Sequence, residues 1–549
     1  MRLLFCFFLL FFGLNLSAQQ RFYFAEFIDK PNAKKQLYNP SSYISLRAID
    51  RRSRNRVPLN INDIPPDSAY LAQLAQLPLL LYGSSRWLNG AIILANNKEI
   101  EAQIKSLSFV SKLTYLGPAY FYEEQDEATE NSLENQLQIL AQSFENKSEK
   151  NDSILLGKSF NQIDQIHAAG LMKSGLNGKN TLIAVLDAGF KNLDKLLPFN
   201  HLFAEKRILA TRDFVEMEEE VFEDDEHGLS VMSCLGAFQP GVISGTAPGS
   251  SYLLLRCENA SSEYLVEEYF WTLAAEYADS AGADIINSSL GYTKHDEKAM
   301  GHKYAEFDGK TTVVSRAADI AASKGILVVV SAGNEGDDPW RQLSAPADAP
   351  NVLTVGAIDK HGSYAGFSSV GPTSDKRIKP DLVAKGKNAV LMSQDAKIFE
   401  GNGTSYACPI IAGAGAILLQ AEPSATSQKI KETMMLTCNQ YDNPDKYIGS
   451  GLPNIELAAK CLKVKTDSLI DLRELPDRYL HVIINAKYDQ KVQVTITEPI
   501  KKETEKLNLH LKKGLNRIKL KGYKKRPSGI YHLSVEFTQK RVEADFVKP

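Results

Sequence analysis

The order of apolar and polar residues divides the chain into three patterned regions. Between about residues 157 and 463, short runs rich in Val, Ile and Leu, such as "TLIAVLD" and "ILVVVSAGN", alternate with helical stretches. Near-continuous apolar runs are typical of parallel strands that are buried on both faces. Their alternation with helices predicts a doubly wound α/β domain, in which active residues collect at the carboxyl ends of the strands.

The regions on either side of this domain have different patterns. Residues 19–120 contain two short strand patterns around two helical ones, including the basic stretch "LRAIDRRSRNR", and predict a small α+β module. Residues 467–549 alternate apolar and polar positions between turn glycines, which predicts a small antiparallel β-sandwich. Residues 121–156 are predicted to be a linker, because nine acidic and two basic residues lie between Glu123 and Asp152 without a strong apolar period.

The first residues, "MRLLFCFFLLFFGLNLSAQQ", combine one basic residue, an apolar run and a small-residue end. This layout is typical of a secretory signal peptide, here residues 1–18 with cleavage after Ala18, and predicts an exported protein. The apolar run is too short to cross a bilayer, and we expect no later stretch to reach that length. The sequence therefore predicts no stable membrane insertion; a membrane anchor is the alternative.

Composition and charge exclude few functions. Apolar residues make up 44% of the chain and charged residues 23%, as in globular proteins, and the net charge is −3. No basic face interleaved with aromatic residues is recognisable, so we expect no nucleic-acid partner. Five cysteines follow the signal peptide at spacings unlike a metal site, and most are predicted to be buried thiols, with one disulfide as the alternative.

Three residues carry candidate chemistry. Asp187 directly follows an apolar strand in "AVLDAGF", while His227 in "DDEHGLSVMSCLGA" and Ser405 in "GNGTSYACP" each precede or begin a helix. Each alone has a structural alternative, such as a helix cap. Together they supply a nucleophile, a general base and a carboxylate that orients the base. The order Asp, His, Ser differs from that of α/β-hydrolases and chymotrypsin-like proteases, and Ser405 lies in no G-x-S-x-G motif.

These motifs resemble those of the subtilisin-like serine proteases, the subtilases. "DAG", "HGLSV" and "GTSYACP" match the three motifs that carry the family's triad, and "GTAPGS" at 245–250 and "SAGNEG" at 331–336 match two others. The resemblance covers about residues 160–460. It implies a mostly parallel, seven-stranded α/β sheet and a secreted serine endopeptidase that hydrolyses peptide bonds.

The resemblance also implies a role for each matching position. Ser405 would attack the scissile carbonyl, His227 would transfer the proton, and Asp187 would orient the imidazole. The Asn334 side chain and the Ser405 backbone N–H would stabilise the oxyanion. Two segments would hold the substrate peptide: Ser289, Leu290 and Gly291 on one side, and Ser331, Ala332 and Gly333 on the other. Ala188 departs from the family pattern, which has a hydroxyl there, so one hydrogen bond near Asp187 is expected to be missing.

The flanking regions carry weaker resemblances. The first unit resembles subtilase propeptides, which implies a precursor that processes itself between about residues 140 and 156 and whose propeptide is an intramolecular inhibitor. A permanent accessory domain is the alternative. The tail resembles C-terminal sorting domains of type IX secretion, which implies that this machinery is a partner and that the protein reaches the outside or the cell surface through the periplasm. A sandwich without a sorting role is the alternative.

No cofactor is expected for the chemistry, and no metal ligand is assigned at the active site. The resemblance makes structural calcium an expectation to test, with Asp337 and Asp338 as candidate ligands. His302 and Asp308 have an irregular spacing, so the segment around them is interpreted as a solvated loop followed by a helix. Two other functions stay open from the residues: a catalytically silent binding protein on this fold, and an esterase.

Overall fold

Three folded units follow one another along the chain. The computed structural model describes residues 20–95, 98–119, 155–463, 467–474, 480–498, 504–520 and 529–548. The predicted signal peptide, nearly all of the predicted linker and its maturation site lie outside these residues. The exact domain boundaries remain predictions.

The N-terminal unit is a four-stranded antiparallel sheet with helices against one face. Alternate residues of its first strand point to opposite faces, so Tyr23 and Phe27 pack on the unit's own helices while Phe22 and Phe24 face the central domain. The strands are β1 Arg21–Phe27, β2 Leu80–Ser85, β3 Gly90–Ala95 and β4 Val110–Pro118, and the helices are α1 Ala33–Gln36, α2 Leu46–Asn55, α3 Ser68–Leu74 and α4 Lys98–Lys105.

The central domain is built on a seven-stranded sheet in the order β13-β12-β11-β10-β5-β9-β6, with every neighbouring pair parallel. Its strands are β5 Leu182–Asp187, β6 Ile208–Asp213, β9 Ser251–Arg256, β10 Ile285–Ser288, β11 Leu327–Ser331, β12 Leu353–Ile358 and β13 Leu382–Lys385. Two short antiparallel pairs are formed by β7 Phe238–Gln239 with β8 Ile243–Ser244 and by β14 Ala389–Met392 with β15 Ile398–Gly401. The helices are α5 Phe160–Asp164, α6 Ala169–Lys173, α7 Asn200–Ala204, α8 His227–Leu235, α9 Val266–Ala281, α10 Val313–Ser323, α11 Thr404–Ala421, α12 Ser427–Leu436 and α13 Ile455–Lys463.

Both faces of the central sheet are covered. Along β5, Ile183 and Val185 contribute to the core around α8 and α11, whereas Ala184 and Leu186 contribute to the core around α9 and α10. All six residues of β5 are buried, which explains the continuous apolar run in the sequence. The predicted doubly wound architecture is confirmed.

The C-terminal unit consists of two antiparallel sheets, β16-β17-β20 and β19-β18-β21-β22, around one apolar core. Its strands are β16 Ser468–Glu474, β17 Leu480–Ala486, β18 Gln490–Thr497, β19 Thr504–Leu511, β20 Gly514–Leu520, β21 Gly529–Glu536 and β22 Arg541–Lys548. The unit contacts the central domain, because Arg517 donates hydrogen bonds to the carbonyl oxygens of Leu436 and Cys438 at 2.9 and 2.6 Å. The predicted sandwich is confirmed, and the sorting role remains a prediction.

The structure bears on three further expectations: the strand number of the N-terminal unit, the absence of a later membrane-spanning stretch, and the state of the cysteines. The N-terminal unit has four strands rather than two, because the residues of β2 and β4 do not alternate regularly between buried and exposed positions. Helix α11 has the length and apolarity to span a membrane, contrary to the expectation for later stretches, but 83% of it is buried inside the protein, as in a core helix. All five described cysteines are buried thiols, as predicted.

The N-terminal unit rests on helix α9 through apolar and charged contacts. Phe24 packs on Tyr269 with ring centroids 4.8 Å apart, and Phe22 meets Phe270 at 5.7 Å. The backbone N–H groups of Arg86 and Trp87 donate to the carboxylate of Glu276 at 2.9 and 3.0 Å.

A buried ionic cluster extends this interface. Asp279 is fully buried and pairs with Arg51, with Arg52 at 2.8 Å and with Arg86 at 3.1 Å, all from the N-terminal unit. Asp63 of the same unit pairs with Arg52 at 2.9 Å and with Lys324 of the central domain at 2.7 Å. The basic stretch of the sequence is therefore a docking element, and its charges are matched across the interface.

Replacing Asp279 with Ala is expected to destabilise this docked arrangement, because three buried guanidinium groups lose their shared carboxylate. Breaking a buried ion pair costs about 3–5 kcal/mol. Denaturant unfolding of the full chain in a Ser405→Ala background, followed by tryptophan fluorescence, measures the change, since Trp87 lies in the interface. Glu101→Ala is the control, because Glu101 forms an exposed pair with Lys105 on the same unit and such pairs contribute about 0–1 kcal/mol. An equal decrease in the free energy of unfolding in the two variants would contradict the role of Asp279 in docking the N-terminal unit.

Candidate active site

The parallel register of the central sheet brings the predicted site residues to one edge. Leu186, Ser288 and Val330 lie in one row across β5, β10 and β11. The residues that follow them along the chain are Asp187, Ser289 and Ser331. Each therefore lies at the carboxyl end of its strand, where open α/β sheets bind ligands.

His227 and Asp187 form the first pair of the site. His227 Nδ1 lies 2.7 Å from Asp187 Oδ1, and Asp187 is fully buried while the imidazole is 30% exposed. The His227 backbone N–H donates to Asp225 Oδ1 at 2.7 Å, which fixes the start of α8. Since Nδ1 faces the carboxylate, Nε2 is the nitrogen left to exchange a proton with another group.

The departure at Ala188 has a visible consequence. The backbone N–H of Ala188 donates to Asp187 Oδ1 at 2.9 Å, but the buried Oδ2 atom has no hydrogen-bond partner within the described residues. A hydroxyl at position 188 could supply a donor here. The expected loss of one hydrogen bond at this position stays a prediction.

Ser405 is the second residue of α11 and is largely buried. Its Oγ donates to the carbonyl oxygen of Ser289 at 3.1 Å, and Ser289 Oγ donates to the Ser405 carbonyl at 2.9 Å. The adjacent Tyr406 ring lies 6.2 Å from the His227 ring, centroid to centroid. No hydrogen bond joins Ser405 Oγ to His227 in the described structure; a change in χ1 would redirect Oγ, and catalytic hydrogen bonds are often formed only when substrate binds.

Asn334 is held in one orientation by Thr404. Its Oδ1 accepts hydrogen bonds from the Thr404 backbone N–H at 2.8 Å and from Thr404 Oγ1 at 3.0 Å. Asn334 itself is exposed. Because Oδ1 is occupied, the Nδ2 amide group is the part of the side chain that can donate to a ligand near Ser405.

The two predicted peptide-binding segments approach one another through Ser344. Side chains of Leu290, Ser331 and Ala332 are buried, so these residues can offer mainly backbone groups. A Cβ on Gly291 would lie 2.2 Å from Ser344 Oγ, and one on Gly333 would lie 2.7 Å from the same atom. The close approach of Ser344, which lies between the two segments, therefore favours glycine at position 291. Gly333 is favoured in addition by its left-handed backbone, with φ of 104°.

Acidic side chains surround the candidate base. Burial by itself lowers the pKa of His227, but attraction to Asp187, Glu258 and Asp225 outweighs it and raises the pKa to about 9. Burial, together with repulsion from Asp187, raises the pKa of Glu258 to about 7. A cavity of about 390 Å³ beside Ala188 is lined by six acidic residues, Glu216, Glu218, Glu220, Glu223, Asp224 and Asp225, together with Lys191 and Arg256.

The structure adds Thr404, Ser344 and Glu258 to the residues named from the sequence. Thr404 lies inside the motif "GTSYACP" and could have been named from the sequence. Ser344 and Glu258 could not, because each acts on residues that are distant from it in the chain. The calcium expectation stays a prediction. Asp338 Oδ1 accepts from the backbone N–H of Trp340 at 2.6 Å, and Lys294 approaches Oδ2 at 3.7 Å.

Replacing Glu258 with Gln is expected to lower the pKa of His227, because one of the negative charges that favour the imidazolium is removed. The imidazolium then loses its proton at a lower pH. NMR titration of the His227 ring in a Ser405→Ala background measures the shift. Glu219→Gln is the control, since Glu219 is 83% exposed and is not among the charges acting on His227. An unchanged titration of His227 in the Glu258 variant would contradict this assignment.

Comparison with known proteins identifies the family of the chain. The subtilase family pattern matches residues 178–451, and the pattern of the Bacteroidota peptidase S8 propeptide domain matches residues 22–135. Subtilisin NAT from Bacillus subtilis subsp. natto is 29% identical over 304 residues, which cover 54% of this chain and 70% of that protein. Serine protease AprX from Bacillus subtilis strain 168 is 30% identical over 322 residues, covering 53% and 69%.

A solved structure, that of MycP1 from Mycobacterium smegmatis, aligns with a TM-score of 0.43 and 23% identity over 56% of this chain and 84% of that one. The assignment of the chain to a family rests on the two family patterns and the two relatives. The chain belongs to the subtilase family of serine endopeptidases and carries a peptidase S8 propeptide domain in its N-terminal unit.

Proposed function

We propose that this protein is an exported endopeptidase that cleaves polypeptides with Asp187, His227 and Ser405 and matures by cutting its own propeptide away. The observation that carries the proposal is the 2.7 Å pair of His227 and Asp187 at the sheet edge where α11 presents Ser405. Asn334, held by Thr404, lies at the start of the same helix. Nucleophile, base, orienting carboxylate and oxyanion donor thus share one edge.

Catalysis follows from these positions. An extended substrate pairs its backbone with residues 289–291 and 331–333. Ser405 Oγ leaves the Ser289 carbonyl, attacks the scissile carbonyl carbon and passes its proton to His227 Nε2. The new C–O bond places a negative charge on the carbonyl oxygen, which accepts hydrogen bonds from Asn334 Nδ2 and the Ser405 backbone N–H.

The proton then returns to the reaction. His227 donates it to the amine as the C–N bond breaks, which leaves an acyl group on Ser405. Water, deprotonated by His227, attacks this ester and releases the second product. Asp187 stabilises the imidazolium in both steps. Because the pKa of His227 is raised to about 9, the neutral base and hence kcat/KM are expected to increase as pH rises through the alkaline range.

The N-terminal unit supports the precursor part of the proposal. It buries apolar and charged residues against α9. Its strand β4 also lies against Tyr264 of the central domain, since a Cβ on Gly117 would come within 3.0 Å of that side chain. We propose that the propeptide inhibits the catalytic domain of the same chain until it is cut away. Export through the predicted signal peptide, and passage of the tail through type IX secretion to the surface, belong to the same proposal.

The first experiment compares the full-length precursor with its Ser405→Ala variant by intact mass and by labelling with a fluorophosphonate. We expect the unsubstituted chain to shorten near residue 150 and to label at Ser405, while the variant does neither. A chain that neither shortens nor labels would favour a silent binding protein. Turnover of small esters without peptide cleavage would favour an esterase.

Replacing Asn334 with Ala is expected to lower kcat by about 10²–10³-fold, the loss known for the corresponding donor in a subtilisin. KM should change little, because the lost hydrogen bond is made mainly in the transition state. Thr404→Val is the matched variant: it removes one of the two hydrogen bonds that position Asn334 and should cause a smaller loss. Steady-state kinetics on a peptide substrate measure both effects, and a normal kcat for the Asn334 variant would contradict the oxyanion role.

The acidic cavity is expected to favour substrates with basic residues near the cleaved bond. Matched peptides that carry Lys or Glu on either side of one cleavage sequence should differ in kcat/KM, with the Lys peptide preferred. High salt should reduce the difference, because it screens charges that are exposed to solvent. Equal kcat/KM values at low salt would show that this cavity does not contact the substrate.

A further inference from the structure

A second cluster of chemically capable side chains lies away from the active site. Glu268 is the third residue of α9, and His295 and His302 belong to the loop that follows β10. One ligand atom from each of the three residues lies within 4.8 Å of the others. The interpretation of this segment as a solvated loop is wrong for both histidines, because their side chains are 0% and 10% exposed.

His295 is the most unusual member of this cluster. Both of its ring nitrogens are buried and have no hydrogen-bond partner within the described residues. Its Nε2 lies 3.7 Å from Glu268 Oε1, which is longer than a hydrogen bond. Buried polar atoms in native proteins are nearly always paired, and an orphaned one points to a strained, catalytic or ligand-binding position.

The other two residues already contact one another. His302 Nε2 is hydrogen-bonded to Glu268 Oε1, while its Nδ1 lies 3.5 Å from Glu306 Oε2. A histidine ligand typically donates its second ring N–H to a carboxylate, and a small approach of Glu306 would complete such a hydrogen bond. Glu268 Oε2 accepts the backbone N–H of Val314 at 3.1 Å, so Oε1 is the oxygen directed to both histidines.

We propose that Glu268, His295 and His302 bind a zinc ion. Two imidazoles and one carboxylate form a recurrent donor set for Zn²⁺, and ligands about 2.0–2.2 Å from the ion in a tetrahedral site lie roughly 3.3 Å from one another. To reach that value, the 3.7 Å separation of His295 Nε2 and Glu268 Oε1 contracts slightly. His302 Nε2, which contacts Glu268 Oε1, gives up its proton and moves apart from this oxygen so that the ion lies between them. Water is the fourth ligand, as in other zinc sites with three protein ligands.

A path to the site exists. His302 and Glu306 line a cavity of about 430 Å³ between the propeptide domain and the catalytic domain. The same loop carries Glu297, whose carboxylate accepts a hydrogen bond from Tyr115 of the propeptide domain at 2.8 Å. The zinc ion therefore joins this loop to α9 beside the propeptide and stabilises the surface on which β4 rests.

The test uses the full-length Ser405→Ala precursor, so that its outcome does not depend on the proposed peptidase activity. After removal of metal with a chelator, Zn²⁺ is titrated calorimetrically, and Co²⁺ is added separately as a spectroscopic probe. We expect one Zn²⁺ per chain, a raised melting temperature and the strong visible bands of four-coordinate Co²⁺. Absence of stoichiometric Zn²⁺ binding would overturn the proposal and leave a hydrogen-bonded His302–Glu268 pair.

Variants then locate the ion. His295→Ala and His302→Ala should abolish binding, and Glu306→Gln, which affects only the orientation of His302, should weaken it about 10–100-fold. His361→Ala is the control, because His361 is exposed and distant in sequence from the cluster. Binding that survives in both ligand variants would place the ion elsewhere and overturn the proposal. If either Ala variant fails to fold, His302→Gln replaces it, and the Co²⁺ spectrum of the unsubstituted chain still reports the ligand set.

Discussion

The parallel register of β5, β10 and β11 is the constraint on which the rest of the site depends. Parallel neighbours end at the same edge, so the row of Leu186, Ser288 and Val330 fixes the level at which the following residues leave the sheet. The residues of that edge, Asp187, Ser289 and Ser331, come from three separate segments of the chain. Helices α8 and α11 begin at the same edge, and they bring His227 and Ser405 to Asp187 and to residues 289–291 and 331–333.

Close packing of α11 keeps Ser405 at this edge. A Cβ on Gly413 would lie 2.1 Å from Thr246 Oγ1, and one on Gly415 would lie 2.7 Å from a Leu327 methyl group. The small residues after Ser405 therefore let the helix approach the sheet and its neighbouring loop. Since α11 cannot shift without loss of these contacts, Ser405 and Thr404 stay in fixed positions beside Ser289 and Asn334.

Helix α9 links the catalytic domain to everything that docks on it. Trp271 donates to Ser288 Oγ at 2.9 Å and anchors the helix to the sheet next to the substrate-binding segment. Tyr269 and Phe270 meet the aromatic residues of the propeptide domain. The Glu276 carboxylate accepts backbone hydrogen bonds from the propeptide domain, and the Asp279 carboxylate pairs with arginines of that domain. Glu268, on the same helix, faces His295 and His302 in the loop that follows β10. Because α9 is buried on nearly all sides, it contacts the propeptide domain, the loop after β10 and the strand next to the candidate active site at the same time.

The three-unit organisation, the parallel sheet and the residues of the proposed triad are all predictable from local patterns of residues. Strands that are buried on both faces need uninterrupted apolar runs, and each residue of the proposed triad lies in a short motif. Both features are therefore recognisable in one sequence without a structure. Tertiary structure alone decided that the arginines of α2 meet Asp279, that Ser344 lies between Gly291 and Gly333, and that His295 and His302 are buried against Glu268. These relations join residues far apart in the chain through packing and charge pairing, and no local pattern of residues encodes such distances.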